Sequence, residues 1–240
     1  MIKPKPDCTT CKVKGLSFLK NCPVRVLKEI SEKKTSHSFK MGTGLLKKDN
    51  VGSGIYCIRS GVVKVEAQNK KGGALILRLE GRGAIVGFRA TGEITRQPLT
   101  ITAVEDIQVC HLSEEKFRSV LSTCPELQTE MSKSLLSEIR SVEQKALSLA
   151  NNSVRERIAE SLLHIAQVYQ YKESGRSIHT HLDRQDIADL AGTTREQVSK
   201  VLADYRHAGL INFKAKHLKY FDLAGLRKVT EEWETKERDH

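Results

Sequence analysis

The stretch from Leu182 to Tyr205 constrains this chain more than any other. It opens with Leu182-Asp183-Arg184-Gln185-Asp186-Ile187. Asp183 is a good N-cap, Asp186 lies three residues on, and Leu182 and Ile187 are placed as a hydrophobic staple. A helix is predicted over Arg184 to Ala191. It stops at Gly192, where a tight turn needs a residue that tolerates positive φ. Two residues later Thr194-Arg195-Glu196-Gln197 has the form of a capping box opening a second helix. At about 100° per residue, Val198, Val201, Leu202 and Tyr205 fall in one arc of that helix. Arg195, Glu196, Ser199 and Lys200 fall on the other side. One face packs on the first helix. The other presents a guanidinium, a carboxylate, a hydroxyl and an ammonium beyond Thr194, the groups that read base edges and hold phosphates in a major groove. After Gly209, Leu210-Ile211-Asn212-Phe213 and Leu218-Lys219-Tyr220-Phe221 flank Lys214-Ala215-Lys216-His217, the pattern of a two-stranded wing with a basic tip. An ordinary amphipathic hairpin shares the periodicity but lacks the paired caps, the short turn and the basic wing.

Upstream the texture changes twice. From about Phe39 to Leu112, short runs such as Ile55-Tyr56-Cys57-Ile58, Val62-Val63-Lys64-Val65 and Leu75-Ile76-Leu77-Arg78-Leu79 alternate with glycines, which suggests a small antiparallel barrel or roll. From Ser113 to about Tyr171 the signal is helical. Leu127, Met131, Leu135, Ile139, Val142, Ala146 and Leu149 recur three or four residues apart. So narrow a stripe on a long helix predicts the seam of a coiled coil, hence a homodimer, although packing within its own domain explains part of it. Asn151-Asn152-Ser153 breaks the pattern, and Ser153 with Glu156 predicts a new helix from Val154 to Tyr171. The expected fold class is α+β: a β-roll, a long dimerisation helix and a winged helix-turn-helix. The expected domains are an N-terminal cysteine-containing segment over 1–30, a sensor roll over 31–124, the dimerisation helix over 125–152 and the winged domain over 153–240.

Charge and composition narrow the function. The formal net charge of +11 favours a polyanionic partner, nucleic acid or an anionic membrane. No run approaches the roughly 18 apolar residues of a membrane span. Met1-Ile2-Lys3-Pro4-Lys5-Pro6 lacks the apolar stretch of a signal peptide, so the expected location is the cytoplasm and the six cysteines are expected as thiols or ligands. No phosphate-binding glycine loop, nucleophile elbow or His-Glu-x-x-His motif is present, and the scattered histidines read as surface residues, so no enzyme is expected. The competing reading is a basic module for protein or membrane interaction without specific DNA readout.

The segment Asp183 to Leu202, with Asp186-Ile187-Ala188, Gly192 and Glu196-Gln197-Val198-Ser199-Lys200-Val201-Leu202, resembles the helix-turn-helix of the CRP/FNR family of transcription regulators. Arg155-Glu156-Arg157-Ile158-Ala159 is similar to the start of that family's linker helix. Phe39-Lys40-Met41-Gly42, Tyr56-Cys57-Ile58-Arg59-Ser60-Gly61-Val62 and Val86-Gly87-Phe88 resemble its cyclic-nucleotide-binding-type β-roll. The resemblance implies a homodimer on an inverted repeat of double-stranded DNA, with RNA polymerase as a further partner. It assigns Glu196 to the family's base-reading glutamate, and it puts Lys200 where an arginine is usual.

The resemblance is closer to the FNR branch than to the cAMP receptors. Gly87-Phe88-Arg89 stands where those receptors carry a carboxylate for the ribose, and Gln97-Pro98 where they carry an arginine and a hydroxyl for the cyclic phosphate. No cAMP site is therefore expected. Cys8-Thr9-Thr10-Cys11, Cys22 and Cys110 resemble the cluster ligands of FNR proteins, and four thiolates are the usual set for a [4Fe–4S] cluster. Cys22 lies later than the family's third cysteine, where the next helix should begin, and Gly15 holds about that cysteine's place. A thiol switch, a zinc site or no redox role at all remain alternatives. Cys57 reads as a small core residue in an apolar strand, and Cys124 as a thiol without a role.

Overall fold

The computed structural model describes residues 7–46, 54–68, 73–87, 99–171, 178, 180–214 and 217–236. It divides into two units, Met1–Val65 with Glu80–Ser141, and Glu66–Leu79 with Val142–His240.

The first unit begins with a short 3-10 turn, Lys14–Leu16, and helix α1, Val24–Lys33, followed by the strands of the roll. The strands are β1 (Thr35–Phe39), β2 (Gly44–Leu46), β3 (Ile55–Ser60), β4 (Val63–Gln68), β5 (Ala74–Glu80), β6 (Ile85–Val86), β7 (Thr100–Ala103) and β8 (Ile107–Leu112). They form two four-stranded sheets, ordered β1-β8-β3-β6 and β2-β7-β4-β5. The expected apolar runs fall in β3, β4 and β5. The roll starts earlier than expected, because β1 pairs with β8 antiparallel from Thr35 opposite His111 to Phe39 opposite Ile107. Thr35-Ser36-His37-Ser38 is exposed on this edge strand, so no apolar alternation announces it.

Two helices close the unit, α2 (Glu114–Ser122) and the first half of α3 (Pro125–Asn151). Leu127 and Met131 belong to the same buried core as Cys8, Leu19, Cys22, Leu27, Ile30, Phe117 and Cys124. The predicted stripe therefore splits. Its first two residues pack within their own chain, whereas Leu135 and Ile139 are 37% and 50% exposed, with Leu136 beside them at 58%.

The second unit holds the rest of α3, then α4 (Val154–Val168), α5 (Arg184–Ala191), α6 (Arg195–His207), the antiparallel pair β9 (Ile211–Lys214) and β10 (His217–Phe221), and α7 (Leu223–Lys236). Ser153 and Glu156 form a reciprocal capping box at the start of α4. That helix ends at Val168, short of the expected Tyr171, and Gln170 takes φ +51° just beyond it. Helix α7 has no counterpart in the sequence reading, although Asp222 accepts a hydrogen bond from the Gly225 N–H at 2.9 Å as a capping residue would. Segment Glu66–Leu79, which carries parts of β4 and β5 of the roll, groups with this unit. The Leu79 N–H donates to His164 Nε2 at 3.0 Å.

Candidate DNA interface and cysteine-lined cavity

The helix pair α5–α6 is held from both ends. Asp183 accepts the Gln185 and Asp186 N–H groups at 2.7 and 2.9 Å, and Asp186 returns the contact to the Asp183 N–H at 3.1 Å. At the other end Gly192 takes φ +61°. The carbonyls that α5 leaves over are met by cations. Arg157 donates from Nε to the Ala191 carbonyl at 2.9 Å, and Lys145 donates to the Leu190 carbonyl. Positive groups at a helix C-terminus satisfy both the orphan carbonyls and the dipole. Sequence reasoning missed these two residues, because both lie far from the turn along the chain.

Thr194 begins α6 and accepts from the Gln197 N–H at 3.4 Å. The capping box expected here is half formed, because the Gln197 side chain meets the Thr193 hydroxyl instead of the Thr194 N–H. Val198, Leu202 and Tyr205 are buried. Thr194, Arg195, Glu196, Ser199 and Lys200 are all exposed. The structure therefore brings the five residues to one open end and face of α6. Hydrogen bonds from its own backbone and from Thr194, with the Arg195 cation beside it, hold the Glu196 carboxyl below the usual range. It is ionised at neutral pH, an acceptor for a base amino group. Ser199 donates to the Arg195 carbonyl at 2.9 Å. Arg155 fastens the back of the helix. Its guanidinium lies 4.7 Å from the centre of the Tyr205 ring and 3.3 Å from Asp204, and its carbonyl accepts the Tyr205 hydroxyl at 2.7 Å. Of the basic tip, Ala215 and Lys216 lie outside the described residues.

His164 is not the surface histidine expected. Burial, with the Lys145 cation nearby, pushes it down to about 4. It is therefore neutral at physiological pH, with Nε2 free to accept from Leu79.

The cysteines sort into two groups. Cys8, Cys11 and Cys110 line one largely apolar cavity with Lys14, Lys34, Ile55, Cys57, His111 and Phe117. Cys22 does not reach it. Its thiol is pushed up to about 12 by burial first and then by the adjoining Cys124 thiol. A four-thiolate cluster needs four sulfurs facing one space. Three of the residues named from the sequence do so, and Cys22 faces elsewhere. Among the described residues, no three His, Cys, Asp or Glu side chains form a group that could hold a metal ion. The cavity wall is firmly built. The Cys8 N–H donates to Ser31 Oγ at 2.8 Å, and Lys34, only 2% exposed, donates to Cys8 Sγ at 3.0 Å.

The N-terminal segment also grips α3. Asn21 and Lys20 reach the two oxygens of Glu130 at 2.9 and 3.3 Å. Hydrogen bonds from Lys133 and Asn21 hold the Glu130 carboxyl at about 2. The positions that bear on cyclic-nucleotide binding, Phe88, Arg89, Gln97 and Pro98, lie outside the described residues.

Comparison with known proteins matches residues 156–229 to the Crp-like helix-turn-helix domain and residues 36–124 to the cyclic nucleotide-binding domain. The chain is 28% identical over 177 residues to the anaerobic regulatory protein of Haemophilus influenzae, covering 73% of this chain and 68% of that one. It is 27% identical over 179 residues to the CRP-like cAMP-activated global transcriptional regulator of Mycobacterium tuberculosis, covering 74% and 80%. Among solved structures, FixK2 from Bradyrhizobium japonicum superposes with a TM-score of 0.72 at 19% identity, covering 82% of this chain and 96% of that one.

Proposed function

Since this chain belongs to the CRP/FNR family of DNA-binding transcription regulators, we propose that it reads its operator with Thr194, Arg195, Glu196, Ser199 and Lys200 and responds to oxygen or redox state through its N-terminal thiols. Members of the family are regulators rather than enzymes, and they bind double-stranded DNA as homodimers and contact RNA polymerase. No described helix is long and apolar enough to cross a membrane. A cytoplasmic location is part of this proposal.

The observation that carries the reading of DNA is α6 itself. One face is buried under α4 and α5, and the opposite face is polar, charged and open. In a homodimer two such helices meet successive major grooves, with half-site centres one helical turn, roughly 34 Å, apart. Arg195 and Glu196 contact base edges, Thr194 and Ser199 contact phosphate or base, and Lys200 supplies a point charge. The direct test is competition between one inverted repeat and random DNA at several salt concentrations. A regulator binds the repeat roughly 10³-fold or more tightly. A basic interaction module binds both alike and loses both together as salt rises.

The sensing half rests on the cavity at Cys8, Cys11 and Cys110 and on the bonds from Asn21 and Lys20 to α3. An iron–sulfur cluster held by these thiols would supply a redox-sensitive centre. The protein's own contribution is to order the segment from Cys8 to Cys22 against the base of the dimerisation helix. Productive DNA binding needs two paired reading helices, so a small change in dimerisation becomes a larger change in operator occupancy. Purification without oxygen, with absorbance, iron and sulfide analysis, tests this half. A colourless chain after reconstitution refutes it.

The effector is not cAMP on this reading, because Phe88, Gln97 and Pro98 offer neither the charge nor the hydrogen bonds its ribose and phosphate require. Micromolar binding of cAMP by calorimetry would contradict that.

A further inference from the structure

In sequence Cys57 reads as a small core residue. Its position says more. It lies on β3 directly opposite Cys110 on β8. Residues directly opposite on antiparallel strands project to the same face, with Cβ atoms about 4.5–5.5 Å apart. That face is the wall of the cavity, which Cys57 lines together with Cys8, Cys11 and Cys110. Cys57 is partly buried on that wall.

We propose that Cys57, rather than Cys22, is the fourth thiolate of the site, so that Cys8, Cys11, Cys57 and Cys110 together hold an iron–sulfur cluster. This rests on the thiol-sensing reading above and names its ligands. Two of the four sulfurs come from rigid, paired strands. The other two come from a segment pinned through Ser31 and through the packing of Val13 and Leu19, 3% and 7% exposed.

A cluster or a single zinc ion takes four thiolates, and the metal taken up on reconstitution distinguishes them. Zinc draws its thiolates to about 2.3 Å from one centre. A four-iron cluster would take the four cysteines, one for each iron. Here four cysteines line one cavity. Four thiolates make the assembled site strongly negative. The Lys34 ammonium, buried within hydrogen-bond distance of Cys8 Sγ, stands where it offsets that charge and donates to a ligand sulfur. Cys22 is buried in the core with Cys124 and does not line this cavity.

The chain has six cysteines, so removing Cys22 and Cys124 together leaves only the four proposed ligands. The test reconstitutes three full-length proteins without oxygen, using ferrous iron and sulfide: the parent, the Cys22→Ala, Cys124→Ala double variant, and Cys57→Ser. Iron, acid-labile sulfide and visible absorbance are measured, with circular dichroism to check folding. The double variant is expected to match the parent in iron, sulfide and colour. Cys57→Ser is expected to fold and fall to background. A folded double variant that loses the cluster, or a Cys57→Ser protein that keeps the parent's iron and sulfide, overturns the ligand assignment while leaving a cluster in place. A parent that takes up zinc but no iron and sulfide, or neither, overturns the sensing reading and this assignment with it. Should Cys57→Ser not fold, the double variant alone decides, since no other thiols remain to hold the metal.

Discussion

At the scale of single residues, selectivity depends on which groups α6 leaves open. Glu196 is exposed and ionised, and it sits in the first turn, where a reading helix meets base edges. Glu196→Ala should cost about 1–3 kcal/mol of operator binding and relax selectivity at one position of each half-site. Lys200 lacks the rigid fork of arginine, so Lys200→Arg should sharpen discrimination at its guanine rather than merely strengthen binding. Gly192 shows how backbone and packing divide a cost. A Cβ there would stand 2.4 Å from the Leu149 Cδ2 atom, the mobile end of a side chain that can turn aside. The φ of +61° cannot be relieved in that way. Gly192→Ala should therefore destabilise by about 1–2 kcal/mol, read from chemical denaturation. His164 carries a pH dependence with a definite sign. Its folded value near 4 lies below the ordinary 6.5. The unfolded chain therefore binds the proton more readily between those values, and stability falls as pH drops from about 6.5 towards 4. Nuclear magnetic resonance titration of the ring should show this low midpoint. His164→Gln should flatten that part of the stability curve.

At the scale of elements, α3 serves two purposes along its length. Leu127 and Met131 are buried against their own unit, whereas Leu135, Leu136 and Ile139 are exposed in one chain. Substituting Leu135 and Ile139 with Ala should therefore leave the single-chain fold nearly intact and shift sedimentation towards monomer. The same change at Leu127 should cost stability directly, about 2–5 kcal/mol. The turn between α5 and α6 is legible in the sequence, although the capping box expected at Thr194 forms only in half. Short-range signals at Asp183, Asp186, Gly192 and Thr194 suffice there. The features that stay hidden depend on distant partners. Arg157 and Lys145 reach the end of α5 from elsewhere in the chain, and His164 is buried by a strand some eighty residues away. The polar edge strand β1 has no periodic signal, and α7 escapes the sequence reading although Asp222 marks its start. The cysteines mark the same boundary. Spacing alone singles out Cys8 and Cys11, but which thiols share a cavity depends on the register of β3 with β8, which no local pattern encodes.

At the scale of the whole molecule, the proposed reading divides the work: the net charge of +11 gives non-specific attraction to DNA, and α6 gives selectivity. The two are separable in measurement, because the first falls steeply with salt and the second appears as a ratio between sequences at fixed salt. In the proposed sensing, the N-terminal segment joins the thiol cavity to Glu130 near the start of α3. The central claim is that α6 reads DNA as one half of a symmetric pair. It is tested most directly by selecting from random double-stranded DNA with the parent protein and with Glu196→Ala in parallel. The parent should enrich an inverted repeat with half-site centres about one helical turn, roughly 34 Å, apart, and the variant should lose preference at one symmetric pair of positions. An unsymmetric motif, or a variant with the parent's selectivity unchanged, would contradict the account.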